Sequence, residues 1–189
     1  MSVGDARSLP LPDSSVDAVI TSPPYLNAID YLRGHRMALV WFGFELDRLR
    51  EIRGTSIGTE RGLNVAGDRA LAEDLAARIG DLDRLPPRQT RMALRYVLDM
   101  LAVMEETARV LREDGVATLV VGNSSIRGVF LANDKAISAC ARHAGLRRTS
   151  RRERVLPPSK RYLPPPIKGS GHQLEQRMRT EVLMRFRPA

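Results

Sequence analysis

The chain has 189 residues, of which 43% are apolar and 28% charged, a balance that is typical of a folded globular protein and excludes a disordered or fibrous chain. Lysine and arginine outnumber aspartate and glutamate by 30 to 22, and the resulting charge of +8 favours phosphate-rich partners. With one cysteine, three scattered histidines, no long apolar run and no basic-then-apolar leader, the sequence predicts a cytoplasmic protein without a metal site, an internal disulfide or a membrane span.

The first predicted elements are a strand and a helix. Residues 16–21 form an apolar run that follows turn residues and stops at Pro23, which predicts a buried parallel strand. Apolar side chains at mostly helical spacing predict one or two helices over 28–44, and we assign Trp41, Phe42 and Phe44 to the core. Residues 45–88 look like a helical insertion, with a short helix at 67–80.

Helices and strands then alternate to the end of the sequence. A long amphipathic helix is predicted from about 89 to 111, after a Pro-Pro pair that suits a helix start, and a helix near 131–144 stops at Gly145. Strands are predicted at 116–121, 146–156 and 181–187. This alternation predicts an α/β fold, with a mostly parallel sheet and helices on both faces, in a single domain over 1–189.

The tetrapeptide Ser22-Pro23-Pro24-Tyr25 stands directly after the first predicted strand. It resembles the Ser/Asp/Asn-Pro-Pro-aromatic loop of the N4-cytosine and N6-adenine DNA methyltransferases. The resemblance implies a partial Rossmann-like methyltransferase fold, S-adenosyl-L-methionine as the cofactor, DNA as the partner and transfer of a methyl group to the exocyclic amine of a base. Serine at the first position favours N4 of cytosine.

The resemblance also implies roles for this loop. The exocyclic amine is a poor nucleophile because its lone pair is delocalised into the ring, and two acceptors for its N–H groups would free that lone pair. By resemblance, the Ser22 hydroxyl and the Pro23 carbonyl are those acceptors, Pro23 and Pro24 fix the backbone, and Tyr25 stacks on an extruded base. Cys140 does not follow a proline, which disfavours a C5-cytosine methyltransferase.

Three further segments are similar to the same family. Asp5, in Gly4-Asp5-Ala6, matches an acidic residue that binds the adenine amino group of the cofactor, although a surface turn is an alternative. The predicted substrate-binding residues are Asn123 and Ser124 after the second strand, for a base edge, and Lys160, Arg161 and Tyr162 in a late Pro-rich loop, for phosphates and stacking. An ordinary turn and a solvated charged surface are the alternatives for these two groups.

One part of the family pattern is missing. The glycine-rich Phe-x-Gly-x-Gly loop, which wraps the methionine part of the cofactor, has no match before residue 22 or after residue 166, and Gly169-Ser170-Gly171 lacks a preceding buried strand. We therefore expect the first strand to form an uncovered edge. Three explanations fit the missing part: a truncated gene product, a degenerate paralogue, or an enzyme in which a second polypeptide or a second copy supplies or covers the missing half. The alternatives are an RNA amino-methyltransferase and a non-catalytic nucleic-acid-binding or regulatory subunit.

Overall fold

The computed structural model describes residues 4–26, 31–58, 69–156 and 180–189, and these residues form a mixed α/β fold, as predicted. In chain order the elements are β1 (Val16–Thr21), α1 (Tyr31–Trp41), α2 (Leu46–Thr55), α3 (Arg69–Ala76), a short 3₁₀ helix (Leu82–Arg84), α4 (Pro87–Val110), β2 (Leu111–Gly122), β3 (Ser124–Ile126), β4 (Val129–Leu131), α5 (Asn133–His143), β5 (Leu146–Val155) and β6 (Thr180–Pro188).

Four strands form the main sheet in the order β1-β2-β6-β5. Strand β1 is parallel to β2, whereas β6 is antiparallel to both of its neighbours. Strands β1, β2 and β5 of this sheet therefore run in one direction and β6 runs in the opposite one between β2 and β5, so the sheet is mostly parallel in strand direction, as predicted. A small hairpin joins β3 to β4 through Arg127 and Gly128, whose φ values of 50° and 80° suit the tight turns that connect neighbouring strands.

The core lies on one face of this sheet. Alternate residues of β2, Ala117, Leu119 and Val121, are buried opposite Phe186, Met184 and Val182 of β6. Helices α4 and α5 contact each other and pack on this face, and α3 packs on α4. The helices α3, α4 and α5 thus form the layer that joins this core.

Among the residues that the structure describes, the outer edge of β1 has no paired strand, and the face of the sheet opposite the core is partly buried at Val120 and Leu183. Ile20 is 81% exposed, and within the described residues β1 pairs with β2 alone. The strand is parallel and lies at the edge of the described sheet, both as predicted, but its side chains are half-buried or exposed rather than buried. No helix of the described residues is long and apolar enough to cross a membrane.

Local sequence features explain where the helices begin and end. Pro87 occupies the first turn of α4, where its missing N–H leaves no hydrogen bond unmade. Gly145 ends α5 with a φ of 78°, a left-handed conformation that favours glycine. The assignment of Trp41, Phe42 and Phe44 to the core was wrong, because α1 packs chiefly against α2 and directs these side chains to solvent.

Candidate active site

The loop after β1 and the end of β2 lie at the same edge of the sheet, because the two strands are parallel. The exposed Ser22 hydroxyl donates a hydrogen bond to the Val120 carbonyl oxygen at 3.1 Å and lies 3.1 Å from the Tyr25 hydroxyl. A hydroxyl has one proton and two lone pairs. Since the Ser22 proton goes to Val120, its oxygen acts as an acceptor toward Tyr25 and keeps one lone pair for a further N–H donor.

The two prolines and the tyrosine hold this loop against the body of the protein. Pro23 is buried, Pro24 and Tyr25 are half-buried, and each proline fixes its backbone φ. The structure thus brings Ser22 and Tyr25 together, as the motif predicts. With its hydroxyl near Ser22 and its ring half-buried, Tyr25 can offer only part of its ring face to a base.

A second tyrosine near this loop was not predicted. Tyr96 of α4 is fully buried, and burial, followed by the nearby Cys140 and Tyr25, raises the pKa of its phenol. Its hydroxyl makes no hydrogen bond within the part of the chain that the structure describes. Tyr96 stands at an apolar position of an amphipathic helix, so the sequence pattern gave no reason to separate it from ordinary core residues.

The loop after β2 is fastened to the start of α5. The Asn123 side-chain oxygen accepts the backbone N–H of Asp134 at 3.2 Å, and the Ser124 hydroxyl accepts an N–H of the Asn133 amide at 3.3 Å. The same Asn133 amide donates to the Gly122 carbonyl at 2.8 Å. Asn123 and Ser124 therefore have structural partners, and their contact with a base edge stays a prediction.

Asn133 is a site-edge residue that the sequence did not reveal. It is fully buried, and its side-chain oxygen has no hydrogen-bond partner within the described residues. An asparagine at the first residue of a helix is common, so local pattern alone does not distinguish this buried amide from a surface cap.

The predicted cofactor residue Asp5 is held by a neighbouring arginine. One Asp5 oxygen accepts the backbone N–H and the Nε of Arg7 at 2.9 and 3.1 Å, and the other accepts its Nη2 at 2.7 Å. These hydrogen bonds lower the pKa of Asp5, so the group is a carboxylate at neutral pH. A carboxylate has about four acceptor positions. The Arg7 Nε also lies 3.3 Å from the second oxygen, so four contacts with Arg7 face these four positions, and the contact of Asp5 with a cofactor stays a prediction.

Arg7 belongs to a charged network that links three parts of the chain. Its Nη1 lies 2.7 Å from Asp99 of α4, and its Nη2 donates to the Thr55 carbonyl at the end of α2, also at 2.7 Å. Arg95 of α4 pairs with Asp99 at 3.5 Å and donates to the Gly54 carbonyl at 3.2 Å. An aspartate among the apolar positions of α4 was the one sequence feature that could have indicated this network.

The remaining predicted site residues, Lys160, Arg161 and Tyr162, lie outside the described residues.

Comparison with known proteins adds one sequence relative. The chain is 46% identical over 41 residues to the Type II methyltransferase M.BsoBI from Geobacillus stearothermophilus, a match that covers 22% of this chain and 8% of that protein. The chain resembles DNA methyltransferases. No family model matches the sequence.

Among solved structures, the chain is similar to a candidate DNA modification methylase from Thermus thermophilus. The match to one crystal structure has 17% identity and a TM-score of 0.48, covering 98% of this chain and 52% of the other. The match to its complex with S-adenosyl-L-methionine has 19% identity and a TM-score of 0.47, covering 98% and 54%. The chain thus spans about half the length of these structures, and far less of the methyltransferase from Geobacillus.

Proposed function

We propose that this chain is the target-base portion of an S-adenosyl-L-methionine-dependent DNA amino-methyltransferase that forms N4-methylcytosine. The observation that carries the proposal is the Ser22 hydroxyl, whose proton is donated to Val120 and whose oxygen faces solvent as an acceptor. The match to a Type II methyltransferase and the charge of +8, which suits DNA, support it.

The chemistry requires little from the protein beyond positioning and hydrogen bonding. When bound, S-adenosyl-L-methionine supplies an electrophilic methyl group. The Ser22 oxygen accepts one N–H of the base amine and the Pro23 carbonyl accepts the other, which concentrates the nitrogen lone pair toward the methyl carbon. Tyr25 positions the base by contact with its ring. The amine nitrogen gains the methyl carbon as the bond from that carbon to the cofactor sulfur breaks, and the N–H proton that the amine releases passes to solvent.

The cofactor fits the residues of this chain only at its adenine end. The Asp5 carboxylate is 49% exposed and can accept from the adenine amino group at its solvent side, and the sequence offers no glycine-rich loop for the methionine part. We therefore propose that a second polypeptide or a second copy completes the cofactor site. The open edge of β1, with Ile20 exposed, is the natural place for its strands to add.

The decisive experiment measures modified bases in cells that express the chain, alone and together with the products of neighbouring genes. DNA and RNA are hydrolysed to nucleosides, and N4-methylcytosine, N6-methyladenine and 5-methylcytosine are quantified by mass spectrometry. We expect N4-methylcytosine in DNA. Detection of N6-methyladenine instead would show that adenine is the target base. Methylation confined to RNA would show that RNA, and not DNA, is the substrate.

Cofactor titration by calorimetry accompanies this assay. We expect weak binding of S-adenosyl-L-methionine to the chain alone and tighter binding when the completing polypeptide is present. If no methylated nucleoside and no cofactor binding were found under either condition, the chain would instead be a non-catalytic nucleic-acid-binding subunit.

A further inference from the structure

An apolar stripe on α1 faces solvent. Three members recur at helical spacing on one face of the helix, Met37, Val40 and Trp41, and Phe44 follows in the turn after the helix end. Trp41 is 86% exposed, and the adjoining Phe42 is 82% exposed. No part of the proposed methyl transfer uses these side chains.

The stripe is large for a surface without a partner. Together with Phe42 and Leu46, its side chains expose roughly 700 Å², using 150–250 Å² for each fully exposed aromatic residue. The largest apolar patch of a monomeric protein is usually about 300–600 Å², whereas each partner in a stable interface buries about 800 Å². The stripe therefore approaches the size of a protein–protein contact and has the aromatic residues that anchor such contacts.

The charges beside the stripe indicate what kind of partner it accepts. Helix α2, which packs against α1, and the glutamate before it carry three acidic residues, Glu45, Asp47 and Glu51, and three arginines, Arg48, Arg50 and Arg53. Two ion pairs within α2, of 2.7 and 2.8 Å, already join four of these side chains. Arg36, exposed on α1 itself, adds one positive charge, so the described rim is mixed with a small positive excess and is less basic than the chain as a whole. Such a rim does not favour DNA or another strongly charged partner.

We propose that the α1 stripe is the contact surface between two copies of this chain. In a two-fold symmetric dimer the same stripe supplies both sides, so apolar residues meet apolar residues. The mixed charges of α2 then lie beside mixed charges of the second copy, which avoids the repulsion that the net charge of +8 would otherwise cause. This contact is on a different element from the β1 edge, where the completing polypeptide is proposed to add.

The chain offers a specific probe of this contact, because Trp41 is its only tryptophan. Molecular mass by light scattering and tryptophan emission are measured together over a dilution series of the full chain. As the concentration rises, the mass should double while the emission shifts to the blue and becomes protected from acrylamide quenching. Phe44→Ser keeps the probe and should raise the dissociation constant about 30-fold or more, as expected for loss of an aromatic anchor.

Phe130→Ser is the matched control, because it removes another exposed aromatic side chain from a different element, strand β4. It should leave the dimer unchanged. Trp41→Ser, followed by mass alone, provides a second test if Phe44→Ser lowers the stability of the fold. A monomeric mass at every concentration, a dimer whose Trp41 stays fully quenchable, or a dimer lost in Phe130→Ser but kept in Phe44→Ser would overturn the proposal. None of these results depends on whether the chain methylates DNA.

Discussion

The Ser22 hydroxyl donates its proton to the carbonyl oxygen of Val120, 98 residues further along the chain. This bond fixes the loop after β1 to the end of β2 and leaves the serine oxygen as an acceptor. We therefore predict that Ser22→Ala lowers the rate of methyl transfer to DNA about 100-fold or more, the usual cost of removing one hydrogen-bonding group from a reacting centre. The rate is measured with labelled cofactor under conditions in which the unmodified chain is active.

Ser15→Ala is the control for this change. The Ser15 hydroxyl donates to the Pro12 carbonyl in the turn before β1 and lies outside the proposed site, so its loss should leave the rate nearly unchanged. The thermal unfolding midpoints of both variants should lie within a few degrees of the midpoint of the original chain. Full activity of Ser22→Ala would show that another group orients the amine.

Much of the fold was predictable because its cues are local. The apolar run at 16–21 that predicts a strand has the same bounds as β1. Pro87 and Gly145 mark a helix start and a helix end because their backbone conformations suit those positions. The antiparallel insertion of β6 depends on pairing between strands that are far apart in sequence. The spacing of residues within one strand does not indicate which strands will be its neighbours. Likewise, helical spacing predicted an apolar stripe on α1 but could not tell whether protein or solvent faces it.

The candidate site divides in the same way. Ser22 and Tyr25 lie within one tetrapeptide, and their proximity follows from the motif. Arg7 and Asp99 are 92 residues apart, and Asn133 reaches back to Gly122 from the next helix. These contacts arise only when the tertiary fold forms, so no local pattern identified them.

The Arg7–Asp99 ion pair should contribute strongly to stability. Asp99 is 7% exposed, and its loss would leave Arg95 of the same helix without its buried counter-ion. Breaking such a pair from one side costs about 3–5 kcal/mol. We predict that Asp99→Ala lowers the free energy of unfolding by about 3 kcal/mol, measured by urea denaturation.

Asp47→Ala tests whether burial is the cause. Asp47 is also ion-paired, with Arg50, but both side chains are largely exposed. Exposed ion pairs contribute about 0–1 kcal/mol to stability. The free energy of unfolding of this variant should therefore lie within about 0.5 kcal/mol of that of the original chain. Equal losses in the two variants would contradict a special role for the buried network.

Glu106 should make stability depend on acid pH. It accepts two hydrogen bonds from Arg109, at 2.8 and 2.7 Å, and one from the Leu9 backbone at 2.8 Å, and these lower its pKa to about 2. A carboxyl group whose folded pKa lies below its unfolded value, about 4.3, stabilises the fold above that value and loses this contribution as pH falls toward the folded pKa. The affected window is therefore between about pH 4.3 and about pH 2.

Comparison with Glu106→Gln isolates this group. The difference in unfolding free energy between the two chains should be constant above about pH 5 and shrink as pH falls through the window. In an Arg109→Gln background, the same substitution should lose most of this pH dependence. A difference that stays constant down to about pH 2 would contradict the lowered pKa.

Cys140 should resist thiol reagents in the native protein. It is fully buried in α5, its Sγ donates to the Val97 carbonyl at 3.6 Å, and burial raises its pKa to about 12. Because the thiolate is the reactive form, labelling at about pH 8 should be at least about 1000-fold slower than for an exposed thiol with a pKa near 8.5. The rate is followed with a chromogenic disulfide reagent, and it should rise with denaturant as unfolding exposes the sulfur.

The control places a thiol on the surface instead. Ser125 of β3 is exposed, so Ser125→Cys combined with Cys140→Ser should be labelled rapidly without denaturant. The Cys140→Ser chain should not react at all, because Cys140 is the only cysteine. If the native chain were labelled as fast as the Ser125→Cys variant, the helix α5 would have to open far more often than its buried contacts with α4 and β5 allow.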